Sequence, residues 1–158
     1  YVPPPAAPKE QVAIPRLVAD ALDEVTPLAR ERQLTLDYKT VTGLPPINGN
    51  REAIMGILRQ VLERMIVITA AGGRVRIESQ MRGNEMRIGV SSSGPALPES
   101  ELQDMFAGFI EGKHAIETYG SRLSMQLART NVERMGGRIW AESEAGRGTV
   151  TYFTLPAG

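Results

Sequence analysis

The sequence predicts an α+β fold: a two-layer α/β sandwich in which helices pack on one face of a mixed, mostly antiparallel sheet. Two segments, residues 54–66 and 121–135, carry apolar residues at the 3.6-residue spacing of amphipathic helices. Two pairs of alternating segments are joined by short glycine-containing turns, which are typical of β-hairpins. The elements follow one another as helix, strand, helix, hairpin, loop, helix, hairpin, and the length suits one domain.

Composition narrows the possible functions. The 158 residues include 18 Lys+Arg, 18 Asp+Glu, one His and no Cys. The resulting net charge of zero gives no electrostatic support for binding nucleic acid or anionic membranes. Without cysteine the chain has no disulfide, zinc-thiolate site or thiol nucleophile. No apolar run approaches the roughly 18 residues of a transmembrane helix. Tyr1 is neither an initiator methionine nor the start of a signal peptide, so we expect a piece of a longer protein.

The first part of the chain predicts a linker followed by a helix. Residues 1–11 are rich in proline and alanine, which favours an extended linker, and we place the domain at residues 12–158. Apolar residues then recur at helical spacing over residues 14–31. Pro15 suits a first helical turn, whereas Pro27 predicts a kink or an early end.

The middle of the chain predicts strands on either side of a helix. Residues 34–39 alternate between apolar and polar side chains, which predicts a strand, and residues 42–49 predict a loop ending in a short strand. Asn50 is predicted to cap the clearest helix of the chain, which a Gly-Gly turn ends. Residues 74–80 and 86–90 then predict the two strands of a hairpin.

The last part of the chain predicts two helices and a hairpin. A polar loop leads to a short helix predicted at residues 98–106. In residues 107–120 the apolar side chains follow neither the helical nor the strand spacing clearly. A strong helix is predicted over residues 121–135, and strands over residues 138–142 and 149–155. The side chains of the strong helix that are predicted to face the core are Leu123, Leu127, Ala128, Val132 and Met135.

Three stretches of the chain match a known family in the same order. They read NREAIMGILRQVLERMIVITAAGGRV, RIGVSSSGPALPESELQDMFAGF and LARTNVERMGGRIWAESEAGRGTVTYFTLP. Together they resemble the ATP-binding and catalytic domain of two-component sensor histidine kinases, the HATPase domain of the GHKL superfamily, over roughly residues 12–156. The resemblance implies the Bergerat-type ATP-binding fold. The last stretch favours the histidine kinases over the other branches.

The resemblance also implies a nucleotide site that begins on the second helix. In the family, two Asn residues four apart and a basic residue three further on share one helix face, where the amide oxygens help to hold Mg²⁺ against the triphosphate. Here the same row reads Gln60, Arg64 and Val67. Gln60 keeps an amide oxygen, whereas Arg64 offers none and brings a cation to the metal position. Val67 lacks the positive charge expected near phosphate.

The first glycine loop of the family has an aspartate that accepts a hydrogen bond from adenine, followed by two glycines. Here Ser92 stands at the aspartate position and Gly94 is kept, whereas Ala96 adds a methyl group. Loss of the charged acceptor costs about 1–3 kcal/mol of binding if the donor is left unpaired. Thr149 matches a family threonine at the floor of the adenine pocket.

The second glycine loop of the family leads into a helix whose N-terminus faces phosphate. Gly120 is kept, but Arg122 and Ser124 stand where the family has its other two glycines. Lys113 and His114 fall in the segment that forms a mobile lid in the family. His114 lacks the helical setting of a phosphoacceptor histidine.

These replacements predict a degenerate, pseudokinase-like domain that keeps the fold and binds ATP or ADP weakly or not at all, with Mg²⁺ only where nucleotide binds. The candidate cofactor-binding residues are Gln60, Arg64, Ser92, Gly94, Ala96, Gly120, Arg122 and Thr149. No catalytic or metal-ligating residue is assigned, and we expect the fragment alone to be inactive. Two alternatives stay open: an active kinase domain with diverged motifs, in which Arg64 contacts phosphate, and an anti-sigma-type regulator.

The resemblance further implies the partners. They are the helical dimerisation and phosphoacceptor domain of the same protein and a response regulator or other signalling protein. We expect no nucleic acid and no direct membrane contact. The isolated domain is expected to be a monomer, the parent protein a homodimer, and the location cytoplasmic whether or not the parent is anchored in a membrane.

Overall fold

A computed structural model describes residues 10–39, 41–94, 97–104, 115–144 and 148–157 of the chain. Its helices are α1 (Ile14–Glu31), α2 (Arg51–Ile68), α3 (Glu99–Asp104) and α4 (Ala115–Arg134). Its strands are β1 (Glu10–Val12), β2 (Thr35–Lys39), β3 (Ile47–Gly49), β4 (Arg74–Arg82), β5 (Glu85–Ser92), β6 (Ile139–Glu144) and β7 (Gly148–Pro156). Every predicted element has a counterpart here, and β1 is an additional strand.

The main sheet has five strands in the order β2-β4-β5-β7-β6. β2 is parallel to β4, whereas the other neighbouring strands are antiparallel. α1 packs on α2, and α2 packs on α4 and β5, so these helices cover one face of the sheet. The predicted two-layer sandwich with a mixed, mostly antiparallel sheet is confirmed. In the part of the chain that the structure describes, no helix is long and apolar enough to cross a membrane.

α2 forms where the apolar spacing predicts it. The Asn50 side chain accepts a hydrogen bond from the N–H of Ala53 at 3.1 Å, which confirms the predicted cap. The apolar stripe is fully buried and consists of Ile54, Ile57, Leu58, Val61, Leu62, Met65 and Ile66. Burial of this stripe supplies most of the stability of the helix. After the helix ends, Gly72 takes the left-handed conformation, with φ +86°.

α1 excludes an early end at Pro27, one of the two expected effects of this proline, because the helix continues to Glu31. Val25 and Ala29, on either side of the proline, are buried and hold the helix against the domain. Proline leaves one helical carbonyl without its partner, here that of Asp23. Asp23 is exposed, so water can satisfy this carbonyl and the cost of the proline is small.

α4 corrects the expectation for Leu127. Leu127 is 54% exposed, whereas Ala128 and Val132 are fully buried. Consecutive residues point about 100° apart around a helix, so the face that buries Ala128 turns Leu127 outward. Met135 is half-buried against the core, as predicted. The side chain of Leu123 lies outside the described part of the chain.

A two-stranded sheet joins the start of the described chain to the domain. β1 pairs antiparallel with β3, with Val12 opposite Ile47, and both side chains are buried. The strand begins at Glu10, inside the segment predicted as a linker. Residues 1–9 lie outside the described residues, so the boundary between linker and domain stays a prediction.

Candidate functional site

Three of the predicted site residues, Ser92, Gly94 and Thr149, lie where β5 ends and β7 begins. Ser92 is the last residue of β5, and Thr149, near the start of β7, is its cross-strand partner. Gln60 and Arg64 lie one turn apart on α2. The C-terminal end of α2 reaches the same strand ends, because Thr69, directly after the helix, contacts Ser92 through its side chain, whereas Gln60 lies nine residues before Thr69.

Four hydroxyl side chains form the floor of the candidate site: Thr69, Ser92, Ser143 and Thr149. The Ser92 and Thr69 hydroxyl oxygens are 2.6 Å apart, and those of Ser143 and Thr149 are 3.0 Å apart. Thr69 also donates to the carbonyl of Met65 at 2.6 Å. The Ser92 hydroxyl also lies 3.2 Å from the carbonyl oxygen of Ser93, so each hydroxyl has a backbone acceptor and either one can donate in their shared bond. The hydroxyl floor is therefore satisfied by its own members and by the backbone.

Gly148 allows the two strands to approach at the floor. Its φ is +78°, and a Cβ atom there would lie 2.1 Å from the carbonyl oxygen of Ser92. Both the conformation and the space require glycine. Gly94, after β5, has φ +119° with nothing within 4 Å of where its Cβ would lie, so there the backbone conformation alone favours glycine.

The row on α2 does not fit a Mg²⁺ site. Mg²⁺ needs oxygen ligands in an octahedron, and neither Arg64 nor Val67 has a side-chain oxygen. Arg64 is only 8% exposed, which places a permanent cation inside the row. Gln60 supplies the single candidate oxygen, Oε1, which is buried and has no hydrogen-bond partner among the described residues. Within the described ranges, no three His, Cys, Asp or Glu side chains are close enough together to hold a metal ion.

The segment predicted as the second glycine loop is helical. α4 begins at Ala115 rather than after Gly120, so Gly120 and Arg122 both lie inside the helix. Arginine and serine at 122 and 124 avoid the cost of about 0.5–1 kcal/mol that each glycine of the family loop would bring to a helix, so the sequence tolerates a helix through this segment. Backbone N–H groups inside a helix bond to the carbonyls one turn earlier. They are therefore not free to bind phosphate as a helix N-terminus does.

Thr69 and Ser143 are members of the hydroxyl floor that the sequence did not predict. Thr69 has a local signal, because it follows the last turn of the apolar stripe of α2. Ser143 has no local signal, since its contact with Thr149 depends on the register between β6 and β7. Three residues that the sequence analysis named lie outside the described residues: Ala96, Lys113 and His114.

Comparison with known proteins places this geometry among nucleotide-binding folds. The sequence profile of a family described as histidine kinase-, DNA gyrase B- and HSP90-like ATPases matches residues 49–158. The adaptive-response sensory kinase SasA of Rippkaea orientalis is 28% identical over 144 residues, which are 90% of this chain and 37% of that protein. SasA of Synechocystis sp. is 26% identical over 147 residues, 90% of this chain and 38% of that protein. The chain thus spans less than two fifths of these relatives.

Solved structures show the same fold at lower sequence identity. The nucleotide-free catalytic domain of histidine kinase ThkA superposes with a TM-score of 0.82 at 22% identity, covering 96% of this chain and 97% of that one. ThkA in complex with the response regulator TrrA superposes with a TM-score of 0.78 at 22% identity, covering 95% of this chain and 42% of that one. Full-length ShkA in complex with AMPPNP superposes with a TM-score of 0.81 at 21% identity, covering 94% of this chain and 31% of that one.

Proposed function

Because the chain belongs to the family of histidine kinase-, DNA gyrase B- and HSP90-like ATPases, we propose that it is the ATP-binding-type domain of a sensor histidine kinase-like protein with a degenerate nucleotide site. The sensory kinases among its relatives favour the histidine kinase branch. In this proposal the domain binds ATP weakly or not at all. It acts in two-component signalling by docking to other proteins.

The main support for this proposal is that the segment corresponding to the second glycine loop of the family is helical in this chain. A phosphate group binds best to free N–H groups at the start of a helix. In this chain the helix already runs through Gly120 and Arg122, so those N–H groups are engaged in helical bonds. Ala115, where α4 starts, is five residues before Gly120, and five residues of helix span about 7.5 Å. The shift removes the phosphate-binding geometry that the family uses.

We further propose that any nucleotide binding makes little or no use of Mg²⁺, and the buried position of Arg64 supports this. A metal ion beside a buried guanidinium meets like-charge repulsion, which low dielectric surroundings strengthen. The row offers one oxygen, from Gln60, in place of the two that the resemblance implies. Nucleotide that does bind would meet Gln60, Ser92, Gly94 and Thr149, without a metal held by this row.

An active kinase domain with diverged motifs is the alternative, and one observation favours it. The buried Oε1 of Gln60 has no hydrogen-bond partner among the described residues, and a buried acceptor is normally satisfied. A ligand donor at this point would satisfy it. Arg64 would then contact phosphate directly and replace part of the role of Mg²⁺.

Two partners fit this proposal. One is the helical dimerisation and phosphoacceptor domain of the same protein, and the other is a response regulator. ThkA, which shares the fold, has been solved in complex with a response regulator. We further propose a cytoplasmic location, a monomeric isolated domain and a homodimeric parent protein.

Titration of the purified chain with a fluorescent ATP analogue, with and without Mg²⁺, tests the proposal. We expect a Kd weaker than about 100 µM, equivalent to about −5.5 kcal/mol, and no gain from Mg²⁺. A low-micromolar Kd, whether or not Mg²⁺ is present, refutes the degenerate site and supports the alternative.

A repaired variant tests the cause of weak binding. It combines Arg64→Asn, Ser92→Asp, Arg122→Gly and Ser124→Gly, and we expect it to bind the analogue at least tenfold more tightly, about 1.4 kcal/mol. Arg59→Asn is the matched control, because Arg59 is on the same helix but pairs with Glu24 at the surface. A repaired chain that folds and still does not bind shows that these four side chains are not the cause.

A further inference from the structure

The segment of residues 97–104, which contains α3, is held to the domain by few buried side chains, and we call it the α3 arm. Leu102 is buried and Leu97 is half-buried against the core. Three other side chains of the arm are exposed: Pro98, Ser100 and Glu101. A cavity of about 710 Å³ is lined by Leu102 together with residues of β6 and β7. Segments with few buried apolar contacts open locally at a low cost in free energy.

A hydrogen bond joins the α3 arm to the hydroxyl floor. The N–H of Leu97 donates to Oγ of Ser143 at 2.7 Å. The same Oγ lies 3.0 Å from Oγ1 of Thr149 and 3.3 Å from the carbonyl oxygen of Gly148. When Thr149 donates and Gly148 accepts, these contacts fill the hydrogen-bonding capacity of a serine hydroxyl, which has one proton and two lone pairs. One oxygen atom therefore connects the α3 arm with the start of β7.

We propose that Ser143 is a positioning residue that couples the α3 arm to the rest of the hydroxyl floor. Its contacts with Thr149 and Gly148 hold its side chain in the rotamer that reaches Leu97. A bound group that takes the Thr149 proton or displaces its side chain therefore loosens the α3 arm. Movement of the arm affects the floor in return, because coupling between two sites is reciprocal.

This coupling consists of protein groups alone, so it operates whether or not the domain binds nucleotide. Linked hydroxyl bonds also polarise one another, so the loss of one weakens its neighbours. The α3 arm responds to a change at Thr149 although the two are joined only through Ser143 in these contacts. The inference can therefore fail while the proposed function holds, and the reverse is also true.

Hydrogen exchange of single amides, followed by NMR on the full chain, measures how often the Leu97 bond opens. Ser143→Ala removes the acceptor, and we expect the Leu97 amide to exchange about fivefold faster or more. Ser143→Thr keeps a hydroxyl and should restore most of the protection. Ser91→Ala is the matched control, because Ser91 lines the same cavity but its hydroxyl donates to the carbonyl of Arg76. This control should change the Leu97 exchange rate by less than about twofold.

A double-variant cycle tests the coupling itself. Thr149→Val removes one hydroxyl with little change of shape, and we expect the Leu97 amide to exchange about two- to threefold faster. Thr149→Ser keeps the hydroxyl and should leave the rate unchanged. In a chain that already carries Ser143→Ala, Thr149→Val should have no further effect on Leu97, because its influence passes through Ser143.

Urea distinguishes local opening of the α3 arm from unfolding of the whole domain. Local opening exposes little surface, so exchange at Leu97 should hardly depend on low concentrations of urea, whereas exchange at Ile88 in the centre of the sheet should rise steeply. Equal urea dependence at Leu97 and Ile88 overturns the proposal. So does an unchanged Leu97 amide in Ser143→Ala, or an effect of Thr149→Val that is the same with and without Ser143.

Discussion

Replacing Gly148 with alanine is expected to destabilise the domain from within the hydroxyl floor. The new side chain would adopt a left-handed conformation at φ +78°, which costs a non-glycine residue about 1–2 kcal/mol. Its Cβ would also lie 2.1 Å from the carbonyl oxygen of Ser92. Relief of this overlap requires β5 and β7 to separate, and overpacking of this kind costs about 1–3 kcal/mol. Together we expect a loss of about 3 kcal/mol in the free energy of unfolding.

Urea titration followed by Trp140 fluorescence measures this loss, and a thermal melt should show a fall in Tm of about 6–12 °C. Gly83→Ala is the matched control. Gly83 also has a left-handed φ, +60°, but nothing lies within 4 Å of where its Cβ would be. We therefore expect this control to lose only the conformational part, about 1–2 kcal/mol. If Gly148→Ala costs no more than Gly83→Ala, the close approach of the two strands at Gly148 is not real.

Three further changes test other parts of the structure. Asn50→Ala removes the cap of α2 and should lower the free energy of unfolding by about 1 kcal/mol in urea, whereas Asn50→Asp, which keeps a capping oxygen, should lower it by less than half of that. Leu127→Ser on the exposed face of α4 should change stability by less than about 0.5 kcal/mol, whereas Val132→Ala on the buried face should cost about 2 kcal/mol, and reversed effects would contradict the corrected orientation of α4. Gly120→Ala should raise the free energy of unfolding by about 0.5–1 kcal/mol, because alanine is a better helix former, and a loss of stability would contradict a helix that runs through this position.

Features that depend on local spacing could be predicted from the sequence, and features that depend on register could not. The stripe of α2 and the cap at Asn50 follow from residues within a few positions of one another. The contact between Ser143 and Thr149 joins two strands, and the pairing of β2 with β4 joins segments separated by a whole helix. No periodicity in one segment specifies its partner in another, so these contacts appear only in the folded chain.

The error at the start of α4 has a different origin. The resemblance places the second glycine loop at residues 120–125, although only Gly120 of its three glycines is present. Local propensity on its own favours the helix that the structure shows, because arginine and serine at 122 and 124 are better helix formers than glycine. A family pattern therefore predicts backbone conformation only where the residues that cause that conformation are kept.

The hydroxyl floor explains how the fold can persist when residues around the candidate site differ from the family pattern. A buried polar group without a partner costs about 1–3 kcal/mol, so a floor that depended on a ligand would weaken the empty domain. Here Ser92 bonds Thr69, and Thr149 bonds Ser143, so the floor is complete without nucleotide. Side chains outside the floor, such as Arg64 on α2, can then differ from the family pattern while the packing of the sheet is maintained. The repaired variant changes one member of this floor, Ser92, and adds two glycines to α4, so a urea titration of that variant must accompany the measurement of its nucleotide affinity.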